Sequence, residues 1–279
     1  LQILLVVYVG LTISETVLLR IAGMSWFDAV CNSFSTIATG GFCTRNTSIA
    51  TFGSVWIETI VLFFMAVSGL HFGLIFATMT GKSNNLFKSE IGRYYIASLL
   101  GAGLLVTLSL WLSGVYPTLG SSLRYGLFQV VSVASTTGFA TADSSAWPSL
   151  SVILMLLMMI QCGCAGSTAG GVKCDRVLLS FKAIRAMMIR RQHPNAVIRV
   201  KLNGVIQDAS MVDMAVLFIL LYGALLALGT IFIAAFGLDL ETSFSMAAAS
   251  MGNVGVGFGQ AGSMNNFGGF PAAVKVLCT

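Results

Sequence analysis

Charge is what this sequence has least of. Asp, Glu, Lys and Arg together make up 9% of its 279 residues, against roughly 25% in an ordinary soluble domain. So little charge excludes a normal water-exposed surface, a charged coiled coil and a disordered chain. Proline is also rare, at 4 residues, so long helices run without breaks of that kind. Cys31, Cys43, Cys162, Cys164, Cys174 and Cys278 show no CxxC spacing. This removes the usual zinc and dithiol signatures and leaves small buried hydrophobes. No basic n-region with a small-residue cleavage site opens the sequence. It begins at Leu1 inside one apolar run and ends at Thr279 as another starts, so a fragment of a larger repeated protein is expected.

What is abundant is apolar residues, at 56%, and they come in long runs. A bilayer core about 30 Å thick needs roughly 20 such residues per crossing helix. Five stretches qualify: Leu1–Ala22, Val55–Met79, Tyr94–Val115, Leu150 to about Val172, and Met211–Phe236. Phe27–Ala38, Leu123–Ala134 and Ser243–Met251 are apolar but too short to cross. Each short stretch ends in a turn rich in Gly with Thr or Asn. Half-length helices followed by irregular backbone are re-entrant segments, tolerated at membrane depth only inside protein or along a wet cavity.

The pattern repeats. Gly41, Gly138 and Gly255 are separated by 97 and 117 residues, and Asp28, Arg124 and Glu241 are expected to open the respective half-helices. Three copies of one unit mark an internally repeated fold. The expected divisions are 1–80, 92–190 with a broken helix over 150–190, a cytoplasmic link at 191–210, and 211–279. Of the 15 basic residues, 11 lie between the second and third spans or between the fourth and fifth. The positive-inside rule makes those loops cytoplasmic and puts the glycine turns outside. The net charge of +5 therefore reflects topology, and nucleic acid is excluded as a partner.

A cation leaving water must have its hydration oxygens replaced, and rings of inward backbone carbonyls can replace them. Glycine reaches the required angles without a Cβ clash, and a neighbouring Thr can add a hydroxyl. Thr39-Gly40-Gly41-Phe42, Thr136-Thr137-Gly138-Phe139 and Asn253-Val254-Gly255-Val256 fit that role. Potassium ligands are expected at Thr39, Gly41, Thr137, Gly138, Asn253 and Gly255. Close helix packing is the competing explanation for glycine; it suits Gly69-xxx-Gly73 but not glycines that recur after half-helices.

The fourth span is interrupted by Gly163-Cys164-Ala165-Gly166-Ser167-Thr168-Ala169-Gly170-Gly171-Val172-Lys173. Small polar residues in mid-membrane make a poor helix and suit a movable plug. A phosphate loop is rejected, because Val172 stands where that motif needs Lys. Glu15, Glu58 and Asp213 are read as solvated near span ends, and His71 as packed. An intramembrane hydrolase would need Ser167 beside His71, a pairing no spacing supports. A sodium- or proton-coupled symporter with inverted repeats is the other alternative.

These residues resemble the Trk/Ktr/HKT superfamily of potassium transporters, most closely the membrane-subunit branch of bacterial Trk potassium uptake. The likeness rests on Phe34 to Phe42, Ser135 to Asp143, Asn253 to Gly257, the Gly163–Lys173 loop and the run from His193 to Ile198. It implies an all-α integral membrane fold of helix–pore loop–helix units around a pseudo-fourfold pore. It further implies a homodimer in the bacterial plasma membrane and a cytoplasmic nucleotide-binding regulatory ring. Thr39–Phe42, Thr136–Phe139 and Asn253–Val256 would be the second, third and fourth filter segments, with Gly163–Lys173 as the gating loop. The first repeat and the last helix are missing from the match. Potassium is then the transported ion, and no enzymatic activity is expected.

Overall fold

The computed structural model describes residues 2–81, 86, 88–193, 198–263 and 267–278. Lys82 and the segment from Pro194 to Val197 in the expected link lie outside the described residues. The fold is helical, and among the described residues three helices are long and apolar enough to cross a membrane. They are α1 (Gln2–Ile21), α5 (Glu90–Leu112) and α9 (Ala209–Ala234). Leu5, Leu104 and Leu220 are among their exposed residues, as expected where the surrounding solvent is hydrocarbon.

The stretch Val55–Met79 does not form one continuous span. It divides into α3 (Val55–Ser68) and α4 (Phe72–Met79), bent by 104°. Hydropathy runs evenly through the bend, but the backbone bonds do not. The Ser68 hydroxyl bonds back to the Met65 carbonyl at 2.8 Å. The His71 ring Nδ1 accepts the Gly73 N–H at 2.9 Å and caps the new helix. Gly69 lies against the buried Tyr95, whose hydroxyl would stand 2.1 Å from an added Cβ. The expected Gly69-xxx-Gly73 packing face is thus a helix break.

The three half-helices are α2 (Trp26–Ile37), α6 (Leu119–Ala134) and α10 (Leu240–Gly252). A helix of 12 residues, as α2 is, is about 18 Å long and reaches only part-way into a bilayer. Their N-caps are Ser25, Thr118 and Asp239, each accepting a backbone N–H through its side chain. Asp28 and Glu241 lie in first turns as expected. Arg124 does not open its helix, because α6 begins earlier, at Leu119. Its guanidinium instead makes a two-pronged bond to Glu58, at 2.6 and 2.7 Å, joining α6 to α3. Glu58 is buried, so this ion pair replaces the solvated carboxylate expected there. Asp213 is exposed, as expected.

Helix α7 (Ser149–Gln161) stops after 13 residues, and α8 (Cys174–Gln192) follows the glycine-rich loop. Between α8 and α9 a small hairpin pairs Lys201 with Ile206 and Leu202 with Val205. Its turn, Asn203-Gly204, has both residues at positive φ, 51° and 77°. That is the type I′ arrangement of an Asn-Gly hairpin. The tip docks on the start of α5: the Asn203 side-chain oxygen accepts the Glu90 N–H at 2.7 Å. A six-residue helix, α11 (Ala272–Leu277), closes the described chain.

Candidate functional site

Each half-helix ends in the same way. Thr39, Thr136 and Asn253 have φ of 53°, 60° and 54°, in the left-handed region. Their N–H groups bond three residues back, to Thr36, Val133 and Ser250, at 3.1, 3.1 and 3.2 Å. The next residues, Gly40, Thr137 and Val254, bond five back, to Ser35, Ser132 and Ala249, at 2.7, 3.0 and 2.8 Å. These paired bonds are a Schellman termination, a position that usually carries glycine. Two threonines and an asparagine hold it here, each at a strain of roughly 1–2 kcal/mol.

Two residues after each of these comes a second left-handed position, at Gly41, Gly138 and Gly255, with φ of 70°, 80° and 81°. Gly41, and not its neighbour Gly40, therefore shares the conformation of the other two. Here the absence of a side chain is a matter of space as well as angle. A Cβ on Gly41 would sit 2.0 Å from the Thr137 carbonyl oxygen, and one on Gly138 would sit 2.2 Å from that of Val254. The three segments thus lie side by side in chain order, each glycine against the carbonyl that precedes the next glycine. Phe139, in the middle segment, is 1% exposed, while Phe42 at the edge is 84% exposed. Gly255 has nothing within 4 Å of its missing Cβ.

Among the described residues, no hydrogen bond reaches the carbonyls of Thr39, Gly40, Gly41, Thr136, Thr137, Gly138, Asn253, Val254 or Gly255. Thr39, Thr136, Thr137, Gly138 and Val254 are buried, where backbone oxygens without a partner are uncommon; Gly40, Asn253 and Gly255 are exposed. Polar side chains hold the backbone around them. The Ser132 hydroxyl donates to the Phe139 carbonyl at 2.6 Å, and the Ser245 hydroxyl accepts the Phe258 N–H at 2.9 Å. The Gln129 amide donates to the Ala142 carbonyl at 3.1 Å. Asp28 accepts from Thr44 at 2.6 Å and from Arg45 at 3.1 Å, tying the chain after Gly41 to the opening turn of α2. Of these, only Asp28 stands out in the sequence; Gln129, Ser132 and Ser245 do not. Their signal was a polar side chain, such as Ser132, at a helix position otherwise surrounded by apolar ones.

The loop from Gly163 to Lys173 lies against the ends of all three half-helices. The Thr39 hydroxyl donates to the Thr168 carbonyl at 3.2 Å, and the Gly170 N–H donates to the Thr136 hydroxyl at 3.0 Å. Gly170 also packs on α10, where an added Cβ would fall 2.1 Å from the Gly252 carbonyl oxygen. The hydroxyl of Thr39, an expected potassium ligand, is engaged with this loop, and so is that of Thr136, an expected filter residue. Thr137 shares a hydrogen bond with Ser135 at 2.8 Å.

On its far side the loop fastens to the α3–α4 bend. Cys164 N–H donates to the Gly69 carbonyl at 2.8 Å, and Phe72 N–H donates to the Gly166 carbonyl at 3.1 Å. Two non-glycine residues with positive φ bracket the loop: Cys162 at 57° and Lys173 at 76°. Within it, the Ala165 N–H bonds Asp175 and the Lys173 ammonium bonds the Ala169 carbonyl. Ser167 donates to the Cys164 carbonyl at 2.6 Å, so its hydroxyl proton is not directed at His71, which caps α4.

The sequence profile described as "TrkH: Cation transport protein" matches residues 1–95 and 114–278. The chain belongs to this family. It is 36% identical over 270 residues to the Trk system potassium uptake protein TrkH of Halomonas elongata, covering 96% of this chain and 55% of that protein. The Escherichia coli K12 protein of the same name is 36% identical over 254 residues, covering 91% of this chain and 53% of its relative. The crystal structure of the potassium transporter TrkH from Vibrio parahaemolyticus superposes with a TM-score of 0.88 at 32% identity. That match covers 97% of this chain and 58% of the other. This chain therefore spans little more than half the length of the relatives it matches. The family consists of transport proteins, so the hydrolase reading of Ser167 and His71 falls.

Proposed function

We propose that the carbonyls of Thr39–Gly41, Thr136–Gly138 and Asn253–Gly255 form three walls of a potassium pathway in the full-length protein. The observation that carries this is three adjoining copies of one strained backbone, with oxygens that no protein donor satisfies. Potassium sheds water there because each lost hydration oxygen is replaced by a fixed carbonyl dipole. A half-helix aims its partially negative C-terminal end at each wall. The Gly163–Lys173 loop obstructs the path directly below and must leave for ions to pass. The repeats are 1–80, 92–190 and 211–279, and 191–210 is the link.

The turns face outward from the bacterial inner membrane and the basic loops face the cytoplasm. The eight basic residues between Lys173 and Lys201 offer a positive face to a cytoplasmic nucleotide-binding ring. The family likeness supports that partner and a homodimer. Potassium uptake by the named relatives supports the choice of ion. The test is growth of a potassium-uptake-deficient bacterium on limiting potassium, carrying the full-length parent gene with or without Gly138→Asp. Wild type should rescue and the variant should fail at equal membrane expression. Failure of the wild type with its regulatory partner supplied refutes the proposal.

A further inference from the structure

Lys173 ends the glycine-rich loop and stands at the N-cap of α8. Two local penalties meet there. Its φ is 76°, a left-handed backbone that suits glycine better than lysine. It also puts a cation at the partially positive end of a 19-residue helix, where the dipole disfavours one. The side chain does not cap α8. It turns back instead, and its ammonium donates to the Ala169 carbonyl inside the loop.

Both ends of that bond are set by their surroundings. The Lys173 carbonyl accepts the Arg176 and Val177 N–H groups at 3.1 and 3.3 Å, and the Cys174 N–H donates to the Gly163 carbonyl at 2.9 Å. The base of the side chain is thereby fixed to α8 and to the start of the loop. Ala169 is buried and lies between the two residues that meet the half-helices. These are Thr168, whose carbonyl accepts from Thr39, and Gly170, whose N–H donates to Thr136. Among the described residues the Ala169 carbonyl accepts no other hydrogen bond, and Lys173 makes no ion pair. Asp175, two residues on, accepts the Ala165 N–H, and Arg176 donates to the Val172 carbonyl at 3.0 Å. Elsewhere Asp28 and Glu58 are paired with arginines, and Glu15, expected to be solvated, is buried in α1. Lys173 differs from all three in being held by the backbone of its own loop.

We infer that Lys173 is a latch on this loop: its side chain holds the Thr168–Gly170 segment against the half-helix ends, which makes it a positioning residue for closure of the pathway. The inference rests on the reading of the loop as an obstruction. A bond from residue 173 back to residue 169 closes the loop on itself. Withdrawal of the tip from Thr39 and Thr136 must therefore break this bond or carry the first turn of α8 with it. Breaking it frees the tip and leaves the filter backbone in place, because the ammonium bonds the loop and no filter residue.

The full-length protein, reconstituted in liposomes without its regulatory partner, tests this by tracer potassium flux. Lys173→Met keeps the apolar stem and removes the donor. It should raise basal flux about tenfold, the effect of losing one hydrogen bond from a charged donor. The potassium-to-sodium ratio should stay within about twofold of wild type. Lys173→Cys should leak in the same way. Alkylating that cysteine with bromoethylamine rebuilds an ammonium at nearly the lysine length and should return the flux toward wild type. Iodoethane, which adds the stem without the nitrogen, should not; wild type treated with each reagent sets the background from the native cysteines. A wild-type flux in the folded Met and Cys variants, or equal closure by the two reagents, overturns the inference. If Lys173→Met does not fold, the smaller Cys variant and its two alkylated forms decide the point. Deleting residues 166–170 separates the two readings. A raised flux there with none in Lys173→Met overturns the latch and leaves the obstruction standing, whereas no rise in either removes both.

Discussion

Alanine at Gly40 and at Gly41 should give opposite results, although the two residues are adjacent. Gly40 has a negative φ, and the nearest atoms to an added Cβ are 3.6 Å away, an ordinary contact. Gly41 stands at φ 70°, and an added Cβ would meet the Thr137 carbonyl oxygen at 2.0 Å. The left-handed backbone alone costs an alanine about 1–2 kcal/mol. The overlap cannot be relieved by a rotamer change, because the obstacle is backbone. The Thr137 carbonyl must swing away by more than about 1 Å, and that oxygen is one of the proposed ligands. Each 1.4 kcal/mol lost from potassium relative to sodium is about tenfold in selectivity. Gly41→Ala is therefore expected to lower the potassium-to-sodium permeability ratio at least about tenfold. Gly40→Ala should stay within about twofold of wild type. Paired tracer fluxes in liposomes, at matched amounts of folded full-length protein, measure both. Equal effects of the two variants, or a normal ratio in Gly41→Ala, would refute the reasoning.

Three further outcomes follow from the geometry. Glu58→Gln leaves the half-buried Arg124 without its charged partner and should destabilise the fold by about 2 kcal/mol, read as a lower Tm in detergent; Arg124→Met in that background should recover part of the loss. Cys164 and Cys174 have sulfurs 3.3 Å apart; closure to about 2.05 Å by a membrane-permeant oxidant should lock the loop and suppress flux until a reductant restores it. Asp28, in the first turn of α2, is held below the usual carboxylate range by its hydrogen bonds from Thr44 and then Ser25. Because the folded carboxyl titrates below its unfolded value of about 3.9, its stabilisation is complete above that value and is lost as pH falls through the folded one. Tm should therefore be insensitive to this group near neutrality, and Thr44→Ala should shift the onset of acid unfolding to higher pH.

The half-helices and their glycine turns could be read from sequence because two independent signals coincide there: apolar runs too short to cross, and glycine at a fixed offset after them. The broken fourth span was legible for the same reason, since residues 163–171 hold four glycines and little that favours a helix. The bend at Gly69 was not, because Leu70 and Phe72 keep the hydropathy high while the bonds that stabilise the bend come from residues 164 and 166. Glu58 read as solvated because its partner, Arg124, is 66 residues away, on α6. The hairpin carried a local Asn-Gly signal at 203–204, outweighed by the basic composition around it. Gly41 was legible in preference to Gly40, because Phe42 follows it as Phe139 follows Gly138, and the φ values agree.

The two main-chain bonds between the Gly163–Lys173 loop and the α3–α4 bend tie the loop to the scaffold. Cys164 and Phe72 spend their N–H groups across that junction, on the Gly69 and Gly166 carbonyls. If the loop withdraws, four main-chain groups lose their partners at a depth where lipid offers none. Water must enter as the loop leaves, so unblocking and wetting are a single event. Solutes too large to follow that water should hold the passage shut by osmotic stress, and the steepness of that effect would count the molecules drawn in.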